Sequence, residues 1–237
     1  MKFDVISLFP EAFGALGVSK IWKNAIDAGL IELRLHDLRD FGLGPHKTVD
    51  DTPYGGGEGM LLKVEPLVAA LESIPRTETS RVLCMSPQGK AFDQTLAQEW
   101  SDMDHVILIC GRYEGFDERF LEHWVDECVS IGDYVLSGGE LAAMVVMDTL
   151  SRLIPGVVGE PVSVSNDSFS RGSLKYPQYT RPEDFRGHRV PQVLLSGNHQ
   201  KIQQWREEIS HLRTLQKRPD LLKDRNAKNT GLKKKEK

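Results

Sequence analysis

The amino-acid sequence predicts an α/β protein, built on a mostly parallel sheet with helices on both faces and followed by a small helical domain. Three observations carry this prediction. Strand-like and helix-like patterns alternate through the first 150 residues, as in chains that wind a parallel sheet. Val106 to Cys110 (VILIC) is apolar, largely β-branched and uninterrupted, as a strand buried on both faces must be. The third is a division of charge. Residues 1–170 carry 13 Lys and Arg against 27 Asp and Glu, net −14, whereas residues 171–237 carry 17 against 7, net +10.

The elements follow in order. Phe3 to Phe9 reads as a strand closed by Pro10, and helical periodicity runs from Glu11 to Ala28, with Gly29 placed to end it. Ile31 to Leu38 alternates like a half-buried strand. The polar, glycine-rich stretch 41–60 is too long for a plain connection, so it is expected to be functional or else a mobile loop that leaves His46, Lys47, Asp50 and Asp51 merely solvated. Its Gly55-Gly56-Gly57 run lacks the Lys and Ser/Thr of a phosphate-binding P-loop, which disfavours nucleotide triphosphate hydrolysis. Glu65 to Ile74 reads as a helix, Arg81 to Met85 as a buried strand running into Ser86-Pro87-Gln88-Gly89, and Asp93 to Trp100 as a helix. No GxGxxG follows the first strand, which disfavours a simple dinucleotide-binding dehydrogenase.

The strand at 106–110 stops at Gly111; a second, Cys128 to Ile131, stops at Gly132; then Gly138-Gly139 opens a helix from Glu140 to Ile154. Loops at the carboxyl ends of neighbouring parallel strands are where open α/β sheets bind small ligands, and glycine lets the backbone approach them. Three such loops make this region the candidate cofactor pocket. The helix interior, LAAMVVMDTL, is too apolar to stand in water and is expected to be buried, in part against a partner subunit. Arg152 falls in its last turn, where a cation also complements the helix dipole. Residues 156–165 read as a linker; Asn166 to Phe169 could begin a helix with Asp167 near its N-cap. Amphipathic helices are expected at Asn198 to Gln216 and Pro219 to Asp224.

At 237 residues and 40% hydrophobic content the chain can bury a sizeable core. Asp4 interrupts the first apolar run and no segment approaches the ~18 apolar residues of a membrane span, so a cytoplasmic protein with no membrane partner is expected. Cys84, Cys110 and Cys128 form no CxxC pair, which favours reduced thiols over disulfides or a zinc site. The basic C-terminal portion suits a polyanion; the terminal KKKEK by itself reads as a solvated tail.

The strings HKTVDDTPYGGGEGM, SPQG, CGRYEGFDER, SIGDYVLSGGE, SRLIPGV, DSF, YTRP and VLLSGNH, in this order, resemble the bacterial tRNA (guanine-N1)-methyltransferases that modify guanine 37, next to the anticodon. The match extends to about Pro219. The resemblance implies the SPOUT class, with a deep C-terminal trefoil knot in the α/β domain and a homodimer sharing its active sites. Sequence periodicity by itself gives no sign of a knot. Residues 1–157 would form the knotted domain binding S-adenosylmethionine, 158–166 the interdomain linker, and 167–237 a helical domain binding the anticodon stem and loop of tRNA.

By the same resemblance the cofactor lies in three loops: Met85, Ser86 and Pro87; Gly111, Arg112, Tyr113, Glu114 and Gly115; and Ile131, Gly132, Tyr134, Leu136, Gly138 and Gly139. Without it, these glycines would simply end strands and Tyr113 and Tyr134 would be core aromatics. Methylating N1 of guanine requires removal of its proton, and the family implies Asp167 as general base and Arg152 as the cation steadying charge on O6. Magnesium has been associated with the family, but the sequence offers no all-protein site for it. The competing readings are a SPOUT methyltransferase for another RNA nucleotide and a catalytically silent RNA-binding module. Three positions depart from the family pattern: Glu58 and Ala142 stand where proline is common, and Gln178 where histidine is.

Overall fold

The structure, a computed structural model, describes residues 1–159, 167–170 and 172–222. The chain divides into two compact units, Met1–Gly159 and Glu160–Lys237. In chain order the first holds β1 (Lys2–Ser7), a 3-10 helix (Pro10–Val18), α1 (Lys20–Asp27), β2 (Glu32–Asp37), a short 3-10 turn (Leu38–Phe41), β3 (Asp50–Asp51), β4 (Leu61–Leu62) and α2 (Val64–Glu72). It continues with β5 (Ser80–Ala91), α3 (Gln94–Trp100), β6 (His105–Cys110), α4 (Glu118–Trp124), β7 (Glu127–Ser130) and α5 (Glu140–Ser151).

Five strands form one sheet in the order β2-β1-β6-β5-β7, and every neighbouring pair is parallel. All six residues of β6 are buried, which is why its sequence is apolar without alternation. Successive side chains of a strand point to opposite faces. Val106, Leu108 and Cys110 accordingly join Trp22, Trp100, Met147 and Leu150 in one core, while Ile107 and Ile109 join Leu67, Leu71 and Phe120 in the other. Thus α1, α3 and α5 cover one face and α2 and α4 the other. Each fully buried side chain of this size contributes roughly 1.5–3 kcal/mol.

Some elements differ from expectation. The single helix expected over Glu11 to Ala28 is two: the 3-10 helix and α1, separated at Ser19 with φ −72° and ψ 120°. Gly14 and Gly17 weaken the first segment as an α-helix, and its apolar residues imitated helical spacing. The strand expected to end at Met85 continues to Ala91. Leu83 to Met85 pair with Glu127 to Val129, and Lys90 and Ala91 then pair with Val129 and Ser130. Ser86 to Gly89 is therefore an arch with both feet bonded to β7. Within the stretch 41–60, Leu43 bridges Thr48 and β3 pairs with β4, while Lys47 and Asp51 hold ion pairs with Asp40 and Lys63.

A polar cluster surrounds the buried Asp4 of β1. Asp4, 1% exposed, meets His36 Nε2 at 2.6 Å, His105 Nε2 at 2.7 Å and Lys2 Nζ at 2.9 Å. Ser80 Oγ lies 2.9 Å from His105 Nδ1.

The second unit contains the hairpin β8 (Asp184–Phe185) and β9 (His188–Arg189), α6 (Gln192–Leu195) and α7 (His199–Lys217). Asn198 caps α7 by accepting from Lys201 N–H at 3.1 Å. The segment before the hairpin is fastened to α7 through Leu174 N–H on Thr214 Oγ1 and Ser210 Oγ on the Leu174 carbonyl. The expected linker beyond Gly159, Asn166, Arg171 and the Lys-rich tail lie outside the described residues. Among the described residues no helix is long and apolar enough to cross a membrane.

Candidate active site

The arch within β5 and the loops beyond the carboxyl ends of β6 and β7 wall a single cleft of about 550 Å³, within the range of small-ligand sites. All fourteen residues expected to contact a cofactor line it: Met85, Ser86 and Pro87, Gly111 to Gly115, and Ile131, Gly132, Tyr134, Leu136, Gly138 and Gly139. Its apolar lining includes Leu61, Phe116, Leu121, Val129 and Ala142, and Glu114 and Glu118 bring carboxylates. Tyr113 and Tyr134 are 52% and 55% exposed, so they are not core aromatics.

Local backbone chemistry sets each loop. Tyr113 at φ 60° and Gly115 at φ 122° turn the chain sharply after β6. The loop is then secured to the strand at Leu61–Leu62: Glu114 N–H donates to Met60 O, Leu62 N–H to Gly115 O and Asp117 N–H to Leu62 O, at 2.9 to 3.0 Å. The third loop returns to the second where Gly139 N–H donates to Gly111 O at 2.9 Å. A Cβ on Gly139 would stand 2.9 Å from both Cys110 Cα and Gly111 N, so only glycine allows α5 to begin this close to the end of β6.

Arg112 carries the electrostatics. Its Nη2 lies 2.8 Å from Glu140 Oε2, its Nε donates to Oε1 at 3.3 Å and its Nη1 to Ser137 O at 3.1 Å. Its guanidinium also covers the Phe9 ring at 4.4 Å. Glu140, only 3% exposed, accepts from Ser7 Oγ at 2.7 Å as well. One carboxylate thereby links the end of β1, the loop after β6 and the start of α5. The sequence reading missed this role for Glu140, Ser7 and Phe9. The available signal was an acidic residue at the first helical position after two glycines, where it also complements the helix dipole. Leu61, Gln88 and Leu121 gave no comparable signal.

The family model described as tRNA (Guanine-1)-methyltransferase TrmD matches residues 1–224. The chain belongs to this family. It is 53% identical to the tRNA (guanine-N(1)-)-methyltransferase of Dehalococcoides mccartyi, over 94% of the chain and 90% of that relative. Identity is 52% to the protein of that name from Geobacter metallireducens, over 94% and 91% of the two chains. With the protein of the same name from Listeria welshimeri it is 50%, over 94% and 93%.

Of the two catalytic candidates drawn from the family, Arg152 is not among the residues lining this cleft and Asp167 falls in the other unit. Arg152 is the C-cap of α5, at the far end of a helix that rises about 18 Å from its start at the cleft. Its backbone N–H donates to Asp148 O at 3.2 Å. Asp167 belongs to the second unit, where its Oδ1 lies 3.0 Å from Lys175 Nζ. The residues after it, Ser168 to Ser170, form a turn and not the helix that an N-cap role would require. Asp167, Lys175, Tyr176, Arg206, Ser210 and His211 help to line a cleft of about 270 Å³.

The departures from the family pattern also find places. Ala142 is the third residue of α5, and the first N–H in that helical ladder is Ala143 to Gly139 O. Proline at 142 would remove no ladder bond, so Ala and Pro are interchangeable there on hydrogen-bond grounds. Gln178 lines a third cleft, in the second unit, and Glu58 is exposed.

Proposed function

We propose that this protein transfers a methyl group from S-adenosylmethionine to N1 of guanine 37 in tRNA, with the donor in the three-loop cleft and Asp167 as general base. The observation that carries this reading is the convergence of all three glycine-containing loops on one cleft, in a chain that belongs to the tRNA (Guanine-1)-methyltransferase family. The cleft suits the donor chemically. Its apolar lining and half-exposed tyrosines match the flat adenosine portion, and the Glu114 and Glu118 carboxylates favour a positive centre. S-adenosylmethionine supplies an electrophilic methyl group. The protein supplies the rest: Asp167 takes the N1 proton, Lys175 orients that carboxylate through Oδ1, and Arg152 steadies the charge that moves onto O6.

Among the described residues no group of three or more His, Cys, Asp or Glu side chains is placed to hold a magnesium ion. The homodimer and the trefoil knot belong to the same proposal. A dimer is supported by α5, whose inward side is buried through Ala143, Val146, Met147 and Leu150, while Leu141 and Val145 remain 58% and 45% exposed. Such a pair on an apolar helix suits a second copy. The helical unit, with net charge +10 over residues 171–237, would hold the anticodon stem and loop while the base is turned out. A cytoplasmic location completes the reading.

The test is transfer of radiolabelled methyl from S-adenosylmethionine to a tRNA transcript, with adenine at position 37 as control. Labelling of the guanine transcript alone is expected; equal labelling of both would refute the assignment of position.

A further inference from the structure

We infer that the second unit carries a separate site for one unpaired nucleotide of the RNA, in the cleft between residues 176–183 and the helices α6 and α7. The inference rests on the reading of the chain as a tRNA methyltransferase and deepens it, by giving the basic unit a specific pocket where net charge gives only general attraction.

The cleft measures about 460 Å³ and is lined wholly from residues 176–206. It combines three kinds of surface. Val190, Leu194, Leu195 and Ile202 form an apolar lining. Tyr176 and Tyr179 supply aromatic faces, and they are not equivalent. The Arg206 guanidinium covers the Tyr176 ring at 4.8 Å, whereas Tyr179 is 50% exposed. Arg181 and Arg206 bring two cations against the single carboxylate of Glu183. Flat π-surface beside guanidinium planes is how proteins hold unstacked bases of single-stranded RNA loops.

Arg206 gives a second, independent indication. Among the described residues, its Nε is buried and has no hydrogen-bond partner. A buried donor left unsatisfied is destabilising, and a shift of the Arg206 side chain on binding would let a phosphate or base oxygen satisfy it. Arg206 and Tyr176 also line the smaller cleft that includes Asp167, so the nucleotide bound here would neighbour the one presented to that carboxylate.

The experiment uses the full-length protein, S-adenosylmethionine and anticodon stem-loop RNAs with a single abasic site at each loop position in turn. An abasic site keeps the phosphate and removes the base. At one position other than 37 it should weaken binding to the unaltered protein by about 10-fold, the range of one base stacked on an aromatic ring. In Tyr179→Ala the same abasic site should have no further effect, giving a coupling in the double-mutant cycle. Tyr179→Phe, which keeps the ring, should restore the coupling. Additive losses at every loop position would overturn the site. Failure of the unaltered protein to methylate the intact stem-loop would instead count against the methyltransferase reading on which the inference rests. Arg206→Lys, retaining charge without the plane, should weaken all the RNAs and flatten the salt dependence little.

Discussion

Arg112 Nη2 and Glu140 Oε2 stand 2.8 Å apart and join the loop after β6 to the first turn of α5. Glu140 is almost fully buried and Arg112 is about a quarter exposed, so the pair cannot be replaced by solvent. Removing one member of a buried pair costs about 3–5 kcal/mol, because the remaining charge is left without its partner. Glu140→Ala should therefore lower the unfolding free energy by several kcal/mol and weaken S-adenosylmethionine binding. Calorimetry and urea unfolding measure the two effects; normal values for both would show that Ser137 O and Phe9 suffice to hold Arg112.

Gly139→Ala places a methyl group 2.9 Å from backbone atoms of Cys110 and Gly111. Backbone yields less readily than a flexible side chain, so the loops must part and the Gly139–Gly111 hydrogen bond must lengthen. Overpacking of this kind costs about 1–3 kcal/mol. The expected result is a clear loss of cofactor affinity with RNA affinity retained, read by titrating each ligand separately.

Asp167→Asn keeps the side-chain size but removes the proposed proton acceptor. Single-turnover methyl transfer should slow by roughly 10²-fold to 10⁴-fold at saturating tRNA and cofactor, while S-adenosylmethionine affinity holds. A near-normal rate would leave the reaction without its base. Arg152→Ala should also slow transfer under the proposed mechanism; dipole compensation alone would cost only about 0.3–1 kcal/mol of stability.

The Asp4 cluster predicts the acid limb of stability. Burial raises the Asp4 carboxyl, but hydrogen bonds from His36, Lys2 and His105 outweigh it and hold it well below the ordinary carboxylate range. Burial also lowers the His105 pKa against the opposing pull of Asp4. The fold thus favours neutral His105, whose contribution is complete above the ordinary histidine value of about 6.5 and fades as pH falls below it. The contribution of ionised Asp4 is complete above about 3.9 and fades only below that. Unfolding free energy should accordingly be level above pH ~7, decline as pH falls from about 6.5 towards 4, and fall further below about 4. His105→Gln should remove the first decline; an unchanged slope in urea titrations across that interval would refute the assignment.

Cys128 should be the most reactive thiol. Its hydrogen bond with Cys84 draws its pKa down to about 7 against the effect of burial, whereas burial raises Cys84 and Cys110 well above the ordinary range. Iodoacetamide at pH 7.5, roughly one unit below the ordinary thiol value, should label Cys128 first by mass spectrometry. Equal labelling of all three would contradict this order.

What could be read from the sequence followed the range over which each signal acts. The runs VILIC and CVSI announce strands because their own residues are mostly apolar, and the glycines after them mark the loops. The α7 helix was visible from Asn198 onward for the same local reason. The 3-10 segment at Pro10–Val18 was not, since its apolar spacing imitates an α-helix. Nor was β5 beyond Met85, because Lys90 and Ala91 become strand only by finding Val129 and Ser130. The partners of Asp4 are 32 and 101 residues distant, and Glu140 meets Ser7 across 133. Polar contacts at such separations leave no periodic trace.

The arch at Ser86 to Gly89 constrains how any ligand comes and goes. Both of its feet are held in the ladder with β7, so it cannot swing aside like a door without pulling a strand out of the sheet. The loop at 111–117 is likewise moored to Leu62. Between Gly132 and Gly138, by contrast, Val135 is 87% exposed and φ reaches 153° at Gly132. Of the three walls, residues 132–136 can therefore shift with the least loss of pairing, up to the point where Arg112 Nη1 holds Ser137 O.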